Sequence, residues 1–208
     1  ILTMGNNKGF DKEREVVSIL NNKSLGELDT NYKDKISKIF LNLLTSNDML
    51  RCFKNEGVGL EKKNDLTLEA KNKKINLSVK IGNGNSLHQE SIYSFTSFLD
   101  SKVKLSKIET DLIYEFHWCD GTLDNTGPFL SRKSKVGYKK SNCKNYKTYI
   151  NVLRNYKHEI FNRVMLGSVN QPNYLLYFES FENKIPYFIS MQDLLLYHLN
   201  NEISENHI

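Results

Sequence analysis

The chain has 208 residues, of which 39% are hydrophobic and 25% are charged, and its formal net charge is +5. This composition excludes a disordered or collagen-like protein. No apolar run approaches the roughly 18 residues that a membrane-spanning helix needs, and the N-terminus lacks the apolar core and cleavage site of a signal peptide. We therefore expect a single domain over residues 1–208 with no membrane partner.

The cysteines indicate the redox environment. Cys52, Cys119 and Cys143 are scattered, and no two of them have the C-x-x-C spacing of a structural zinc site. An odd, widely spaced set also argues against a disulfide framework. We expect a cytoplasmic protein whose thiols are reduced.

The positive charge is concentrated in one block. Residues 132–163 contain ten basic residues and one acidic residue, a net charge of +9. Residues 1–131 are neutral overall, and residues 164–208 carry a net charge of −4. A phosphate backbone is the usual partner of such a block, although a solvated lysine-rich helix has the same composition.

The apolar spacing predicts helices over residues 10–22 and 33–44, and a short helical turn over residues 46–54. Glu13 falls on the apolar face of the first helix, four residues before Val17. A carboxylate that points inward needs a reason, since burying an unpaired charge is unfavourable. Glu13 is therefore a candidate functional residue.

The pattern then changes to strict alternation, which predicts a β-hairpin from residues 65–71 and 75–81. A two-residue loop beginning at Asn72 would place Asp65 opposite Lys80. Both side chains then lie on the polar face of the hairpin.

The remaining elements follow from capping residues and turn signals, and the whole pattern is that of an α/β (α+β) protein. Ser86, with Gln89 three residues later, reads as the capping box of a helix. The other predicted elements are a helix over 102–116, a turn-rich loop over 117–127, a long helix over 144–166 that Gly167 can stop, strands over 174–179 and 185–189, and a last helix capped by Ser190.

The order of Glu13, Asp65, Lys80 and Glu90 resembles the PD-(D/E)xK nuclease superfamily, to which many restriction endonucleases belong. The resemblance covers about residues 10–100, which we take as the nuclease core motif region. It implies a restriction-endonuclease-like mixed central sheet flanked by helices, here with a basic helical and hairpin C-terminal half. It also implies a divalent metal held by carboxylates and a lysine that positions or activates the attacking water.

The chain departs from this family at one important position. The residue two before Lys80 is Ser78, where the family normally has a carboxylate. Some restriction endonucleases have serine there and take a glutamate from the following helix, so the resemblance implies Glu90 in that role, with Glu69 as a weaker substitute. The expected catalytic residues are Asp65, Lys80, Glu90 and Glu13, and the expected Mg²⁺ ligands are Asp65, Glu90 and the carbonyl of Val79.

A second partial match lies in Gln89 and Tyr93, whose Q-x-x-x-Y spacing resembles the helix motif of RecB-like nucleases in the same superfamily. Glycines near the end of the second strand let a backbone approach phosphate. The expected DNA-binding residues, which include a basic segment over 117–166, are Ser78, Gly84, Asn85, Ser86, His88, Gln89, Arg132, Lys133, Lys135, Lys139, Lys140 and Lys144. Tyr149 and Tyr156 fall on the apolar helix face and are expected in the core.

The functional expectation is a Mg²⁺-dependent endonuclease of double-stranded DNA, of the type II restriction class, acting as a homodimer. Two alternatives stay open. One is a nucleic-acid-binding module without catalysis, for which the carboxylate missing at Ser78 is the best argument. The other is an interaction protein whose basic block meets an acidic partner.

Overall fold

The computed structural model describes residues 8–55, 65–82, 90–167 and 170–201, except for the side chains of Lys8 and Arg132. The chain divides into two compact units. The first is drawn from residues 1–87 and 164–196, and the second from residues 88–163 and 197–208. Within the described ranges, no helix has the length and apolar character needed to cross a bilayer. The single-domain assignment stays a prediction.

A six-stranded mixed sheet organises the first unit. Its strands lie side by side in chain order: β1 (Lys23–Ser24), β2 (Met49–Lys54), β3 (Leu66–Ala70), β4 (Lys73–Ile81), β5 (Tyr174–Phe178) and β6 (Tyr187–Ser190). All neighbours are antiparallel except β4 and β5, which are parallel. The predicted mixed sheet with flanking helices is therefore confirmed at this coarse level.

Two helices, α1 (Lys8–Leu20) and α2 (Thr30–Ile39), supply the apolar partners of this sheet. Val16 and Leu20 of α1 are fully buried against a core that includes Leu68 and Leu77. Asp29 caps α2, because its carboxylate accepts the N–H groups of residues 31 and 32. This packing places the inward face of α1, and with it Glu13, over the sheet.

The second unit is helical. Its elements are α3 (Ile92–Val103), α4 (Lys107–Trp118), α5 (Arg132–Ser141), α6 (Cys143–Asn155) and α7 (Lys157–Phe161). Leu99, Ile113 and Phe116 form the centre of its core, with Val152 of α6 packed against them. A π-helical turn over Asn162–Leu166 follows α7, and α8 (Met191–Asn200) follows β6.

The β3–β4 hairpin forms as predicted, but its register differs. Ala70 pairs with Lys73, so the turn residues are Lys71 and Asn72. Both have positive φ, 45° and 62°, as a type I′ hairpin turn requires. The predicted pairing of Asp65 with Lys80 is wrong.

The register, continued by one residue, puts Asp65 opposite Ser78. Each partner shifts by two positions, which keeps every side chain on its predicted face. The shared polar face of Asp65, Ser78 and Lys80 therefore survives the correction.

Other element predictions also need correction. Residues 46–54 are not a helical turn, because strand β2 occupies most of that segment. Leu50 and Cys52 are buried while Met49 and Arg51 are exposed, the two-residue period of a strand. Helix α2 ends at Ile39, before the predicted residue 44.

The helices of the second unit are shorter than predicted. α4 begins at Lys107, after a capping box formed by Ser106 and Glu109. The predicted long helix over 144–166 is interrupted at Tyr156, between α6 and α7. α3 is capped by Ser91, whereas the predicted cap Ser86 lies outside the described residues.

Candidate functional site

Strand β4 fixes the carboxylate of Asp65 at the start of β3. Oδ2 of Asp65 accepts a hydrogen bond from the Val79 N–H at 2.6 Å and from the Ser78 hydroxyl at 3.2 Å. The N–H of Asp65 donates to the Leu77 carbonyl at 2.7 Å. Its second carboxylate oxygen, Oδ1, receives no hydrogen bond from any residue that the structure describes. The Asp65 carboxylate is therefore held in one orientation, and no described residue donates a hydrogen bond to its Oδ1.

Ser78 occupies the position at which the resemblance called for a carboxylate. The residue is 9% exposed, and its hydroxyl donates to Asp65. A second carboxylate here would face Asp65 across the hairpin, and two like charges at that distance repel. Serine supplies no carboxylate at this position, and its hydroxyl adds a hydrogen bond that holds the Asp65 carboxylate.

The Val79 carbonyl is directed toward the same side of β4 as Asp65. In an extended strand the N–H and C=O of one residue point to the same side, and successive residues alternate. The Leu77 carbonyl and the Val79 N–H both bond to Asp65, so residues 77 and 79 face β3. β3 begins at Leu66, beside Leu77, so the Val79 carbonyl lies past the paired part of that strand.

Glu13 lies beneath the same region and pairs with a lysine that the sequence analysis did not select. It is 7% exposed, and its Oε2 lies 2.6 Å from Nζ of Lys54 at the end of β2. Lys54 is partly exposed, and its ammonium also lies 4.1 Å from the centroid of the Phe10 ring. The inward glutamate of α1 thus has a counter-ion.

The pKa of Glu13 depends on burial and on the other charged groups near it. Burial raises the pKa of its carboxyl above the ordinary value of 4.5, and the negative charge of Asp65 raises this pKa further. The hydrogen bond and charge of Lys54, and the charge of Lys80, act in the opposite direction without cancelling the rise. Two carboxylates and two ammonium groups therefore interact at one end of the sheet.

Lys80 and Gly82 end strand β4. Lys80 is half-buried and lies beside Tyr177 of β5. The N–H of Gly82 donates to the Phe178 carbonyl at 2.8 Å, and its φ of +60° is a conformation that glycine adopts without strain. The lysine thus lies one residue before the last residue of its strand, on the face that carries Asp65.

Glu90 belongs to the second unit, where it is committed to an ion pair. Its Oε2 lies 3.1 Å from an Arg163 guanidinium nitrogen and also accepts a hydrogen bond from the Ser94 hydroxyl. The two charged side chains are 4% and 7% exposed. The Arg163 guanidinium lies 4.7 Å from the centroid of the Phe98 ring. The expected role of Glu90 as a metal ligand stays a prediction.

Glu69, the weaker substitute, is held elsewhere. Its two carboxylate oxygens pair with Lys74 at 2.8 Å and Arg51 at 3.9 Å. It lies four residues along β3 from Asp65, which is about 13 Å in an extended strand. It is therefore a useful control for Asp65 and a poor replacement ligand.

Several predicted residues lie outside the described ranges: Gly84, Asn85, Ser86, His88 and Gln89. Within those ranges, no group of three or more His, Cys, Asp and Glu side chains is arranged to hold a metal ion. Oxygen atoms at this end of the sheet, among the described residues, include those of the Asp65 carboxylate, the Ser78 hydroxyl, the Val79 carbonyl and the Glu13 carboxylate that pairs with Lys54. These hard oxygen atoms are of the kind that Mg²⁺ prefers.

The basic block forms helices α5, α6 and α7, of which α5 and α6 contain no acidic residue. Lys135 donates to the His117 carbonyl at 3.0 Å, and Lys139 lies over the Tyr146 ring. Four further lysines are exposed and form what we call the lysine surface: Lys133, Lys140, Lys144 and Lys147. Arg132 begins α5, and its side chain lies outside the described part of the chain.

The tyrosines of the basic block turn inward. Tyr149 packs on Phe116 with ring centroids 5.2 Å apart, and burial raises its pKa far above the ordinary value of 10.0. Tyr156 donates its hydroxyl to Glu109 at 2.7 Å, and Tyr138 donates to Glu115 at 3.1 Å. The expected core placement of Tyr149 and Tyr156 agrees with these contacts, so the block presents lysines and keeps its rings inside.

Sequence reasoning missed two lysines of the first unit. Lys54 escaped because residues 46–54 were taken for helix, which hid the strand that brings Lys54 to Glu13. Lys12 is fully buried and bonds the carbonyls of Phe181 and Asn183 at 3.0 Å each. The neighbouring sequence gives no sign that Lys12 is buried, because exposed lysines of helices have similar neighbours.

Comparison with known proteins found no match to any protein-family model and no similar curated protein.

Proposed function

We propose that this protein is a Mg²⁺-dependent endonuclease that hydrolyses phosphodiester bonds in double-stranded DNA, with Asp65 at the centre of its active site. The observation that carries the proposal is the fixed Asp65 carboxylate. Strand β4 orients one of its oxygens, and no described residue bonds the other. A carboxylate held in this way is prepared to bind a cation.

The residues at this end of the sheet fit a magnesium ion. Asp65, Glu13 and the Val79 carbonyl would hold it, provided that Glu13 exchanges its Lys54 partner for the metal. When bound, Mg²⁺ would supply charge to the phosphoryl oxygens and lower the pKa of a coordinated water. The hydrogen bonds from Ser78 and Val79 keep the Asp65 carboxylate in one orientation during binding.

The two lysines suit the charge that develops during hydrolysis. As the attacking water loses a proton to solvent, its oxygen brings negative charge to a phosphate that is already anionic, and the leaving ester oxygen takes up charge as its bond to phosphorus breaks. Lys80 shares a strand face with Asp65, and Lys54 contacts Glu13. Ammonium groups in these positions favour the anionic transition state and the approach of phosphate.

The lysine surface would bind the DNA backbone. Its four lysines carry no ion pair with any residue in the described ranges, and helices α5 and α6 contain no acid to oppose them. Backbone contacts of this kind hold a duplex in place without reading its sequence. A homodimer is the arrangement that would present two such sites to the two antiparallel strands.

A second candidate is a nucleic-acid-binding protein without catalysis. A specific observation favours it: Glu13 is paired with Lys54, Glu90 with Arg163, and Ser78 has no carboxylate. In that reading the former metal site is stabilised by internal ion pairs, and only the lysine surface acts.

Incubation with a mixture of plasmid and phage DNA separates the two candidates. The endonuclease account predicts cleavage with Mg²⁺ and intact DNA with EDTA. Intact DNA under Mg²⁺ and Mn²⁺, together with salt-sensitive binding of the same DNA, would establish the non-catalytic candidate instead.

A further inference from the structure

The second unit carries a chain of aromatic rings that the proposed catalytic chemistry does not use. The ring of Tyr93 lies 5.5 Å from that of Tyr114 and 6.4 Å from that of Trp118, between centroids. The His117 ring lies 4.4 Å from Trp118. These four residues, Tyr93, Tyr114, His117 and Trp118, are the aromatic surface. They join the first turn of α3 to the last turns of α4.

This aromatic surface is open to solvent, unlike the rings that pack around Phe116 in the same unit. Tyr93 is 48% exposed, His117 is exposed, and Tyr114 and Trp118 are partly exposed. By contrast, the rings around Phe116 belong to the hydrophobic core. Rings that pack on one another at the surface leave faces on which a further planar group can stack.

One polar atom of the aromatic surface is unsatisfied. The indole N–H of Trp118 is covered, and within the described ranges it meets no acceptor. A buried tryptophan N–H usually has a partner. A ligand that brings a carbonyl or ring nitrogen beside Trp118 would complete the cluster.

Positive charge adjoins the rings. Lys135 of α5 donates to the His117 carbonyl at 3.0 Å, which ties the basic helix directly to the end of α4. Partial burial of the ring and the charge of Lys135 lower the pKa of His117 below its ordinary value of 6.5, which favours the uncharged form of the ring. The lysine surface continues from the same helix through Lys133 and Lys140.

We propose that the aromatic surface binds unstacked nucleobases, so that the protein engages single-stranded or locally unpaired nucleic acid there. Flat rings supply a stacking face, and the lysines of α5 attract the backbone that carries the bases. The inference rests on nucleic acid being the ligand, as in the proposed function, and it adds a base-binding site that duplex cleavage does not require.

The structure provides its own reporter. Trp118 is the only tryptophan of the chain, so tryptophan fluorescence, excited selectively over that of the tyrosines, comes from the aromatic surface. A base that stacks beside it should quench this emission. Phosphate contacts on α5 alone should not.

The test titrates metal-free Asp65→Asn protein with three oligomers of about twelve nucleotides, within the usual site size of single-strand-binding proteins. Two of them carry bases: oligothymidylate for DNA and oligouridylate for RNA. The third is abasic and carries the same number of phosphates. Binding is followed by Trp118 fluorescence and by anisotropy of an end label. The test measures binding and not cleavage, so it can be interpreted even if the protein proves not to be a nuclease.

The expected result is quenching by the base-bearing oligomers in either the DNA or the RNA arm, with at least tenfold tighter binding than the abasic oligomer. Tyr93→Leu should weaken base-bearing binding by about tenfold and leave abasic binding unchanged, while Tyr93→Phe keeps the wild-type affinity. Phe129→Ala is the matched control, since Phe129 is 96% exposed and contacts no other ring in the part of the chain that the structure describes.

Three outcomes would overturn the proposal. They are equal binding of base-bearing and abasic oligomers, unchanged binding by Tyr93→Leu, or no binding of any oligomer. The last would point to a protein partner for the aromatic surface.

Discussion

The ammonium of Lys54 lies 2.6 Å from Oε2 of Glu13 and joins the end of strand β2 to the inward face of helix α1. Glu13 is nearly buried, so its charge has lost most of its contact with water. The Lys54 ammonium and neighbouring dipoles must stabilise that charge instead. Any divalent ion that uses Glu13 must compete with Lys54. The pair is therefore a fold contact, and under the proposed function it would also lower the affinity of the site for a metal ion.

Removal of Lys54 should destabilise the protein through Glu13. Lys54→Met leaves a buried carboxylate without its cation and should lower the free energy of unfolding by about 1 kcal/mol at neutral pH, the lower part of the usual range because Lys54 is partly exposed. Urea unfolding checks this. The double variant Lys54→Met/Glu13→Gln should recover most of the loss, and two additive effects would show that the residues are not coupled.

Glu13→Gln should stabilise the fold at neutral pH. The pKa of Glu13 is raised in the folded protein, so the folded state favours the protonated carboxyl. Stability from this group is present below the ordinary pKa of 4.5 and is lost as the pH rises through the raised value. Glutamine does not ionise, so the Glu13→Gln variant does not lose this stability as the pH rises. Thermal unfolding should show a gain in Tm at pH 8 that shrinks toward pH 4, and a gain of equal size at both would refute the explanation.

Breaking the buried Arg163–Glu90 pair should lower the free energy of unfolding more than breaking the exposed Lys107–Asp111 pair. Arg163→Met removes the cation from a carboxylate that is 4% exposed and should cost about 3 kcal/mol. Lys107→Met, which breaks the exposed pair with Asp111, is the matched control and should change stability by less than about 0.5 kcal/mol. Chemical unfolding of the three proteins decides this, and equal losses in both variants would contradict it.

The lysine surface should govern the salt dependence of DNA binding. Changing Lys133, Lys140, Lys144 and Lys147 to Gln should reduce the slope of log affinity against log salt by about 0.9 for each lysine that contacts a phosphate. Lys38→Gln, an exposed lysine of α2, should leave the slope unchanged. An unchanged slope in the fourfold variant would place the DNA on another surface.

The alternation over residues 65–81 was enough to predict the hairpin and its polar face, because face depends only on the parity of the pairing. Parity does not choose between registers that differ by two residues. The choice was made by the turn, where Lys71 and Asn72 accept positive φ. Both candidate turns, Lys71–Asn72 and Asn72–Lys73, contain one lysine and one asparagine, so residue type does not choose between the two registers.

The residues of the candidate site also differ in how far the sequence predicts them. Asp65, Glu13 and Lys80 carry local signals, namely a strand start, an inward position on a helix and a strand face. The partners of Glu13 and Glu90 depend on contacts between distant segments, 41 residues apart for Lys54 and 73 for Arg163. Helical periodicity could not reveal them. The aromatic surface was missed because its rings come from two helices whose packing the pattern did not define.

The role of Asp65 is tested most directly by comparing two carboxylate variants of the same strand in plasmid cleavage. Asp65→Asn keeps the shape of the side chain and removes its charge. Glu69→Gln does the same four residues along β3, among surface ion pairs. The account predicts at least a hundredfold loss of Mg²⁺-dependent cleavage for Asp65→Asn, with near wild-type cleavage for Glu69→Gln and DNA binding retained by both. Full cleavage by Asp65→Asn would contradict it.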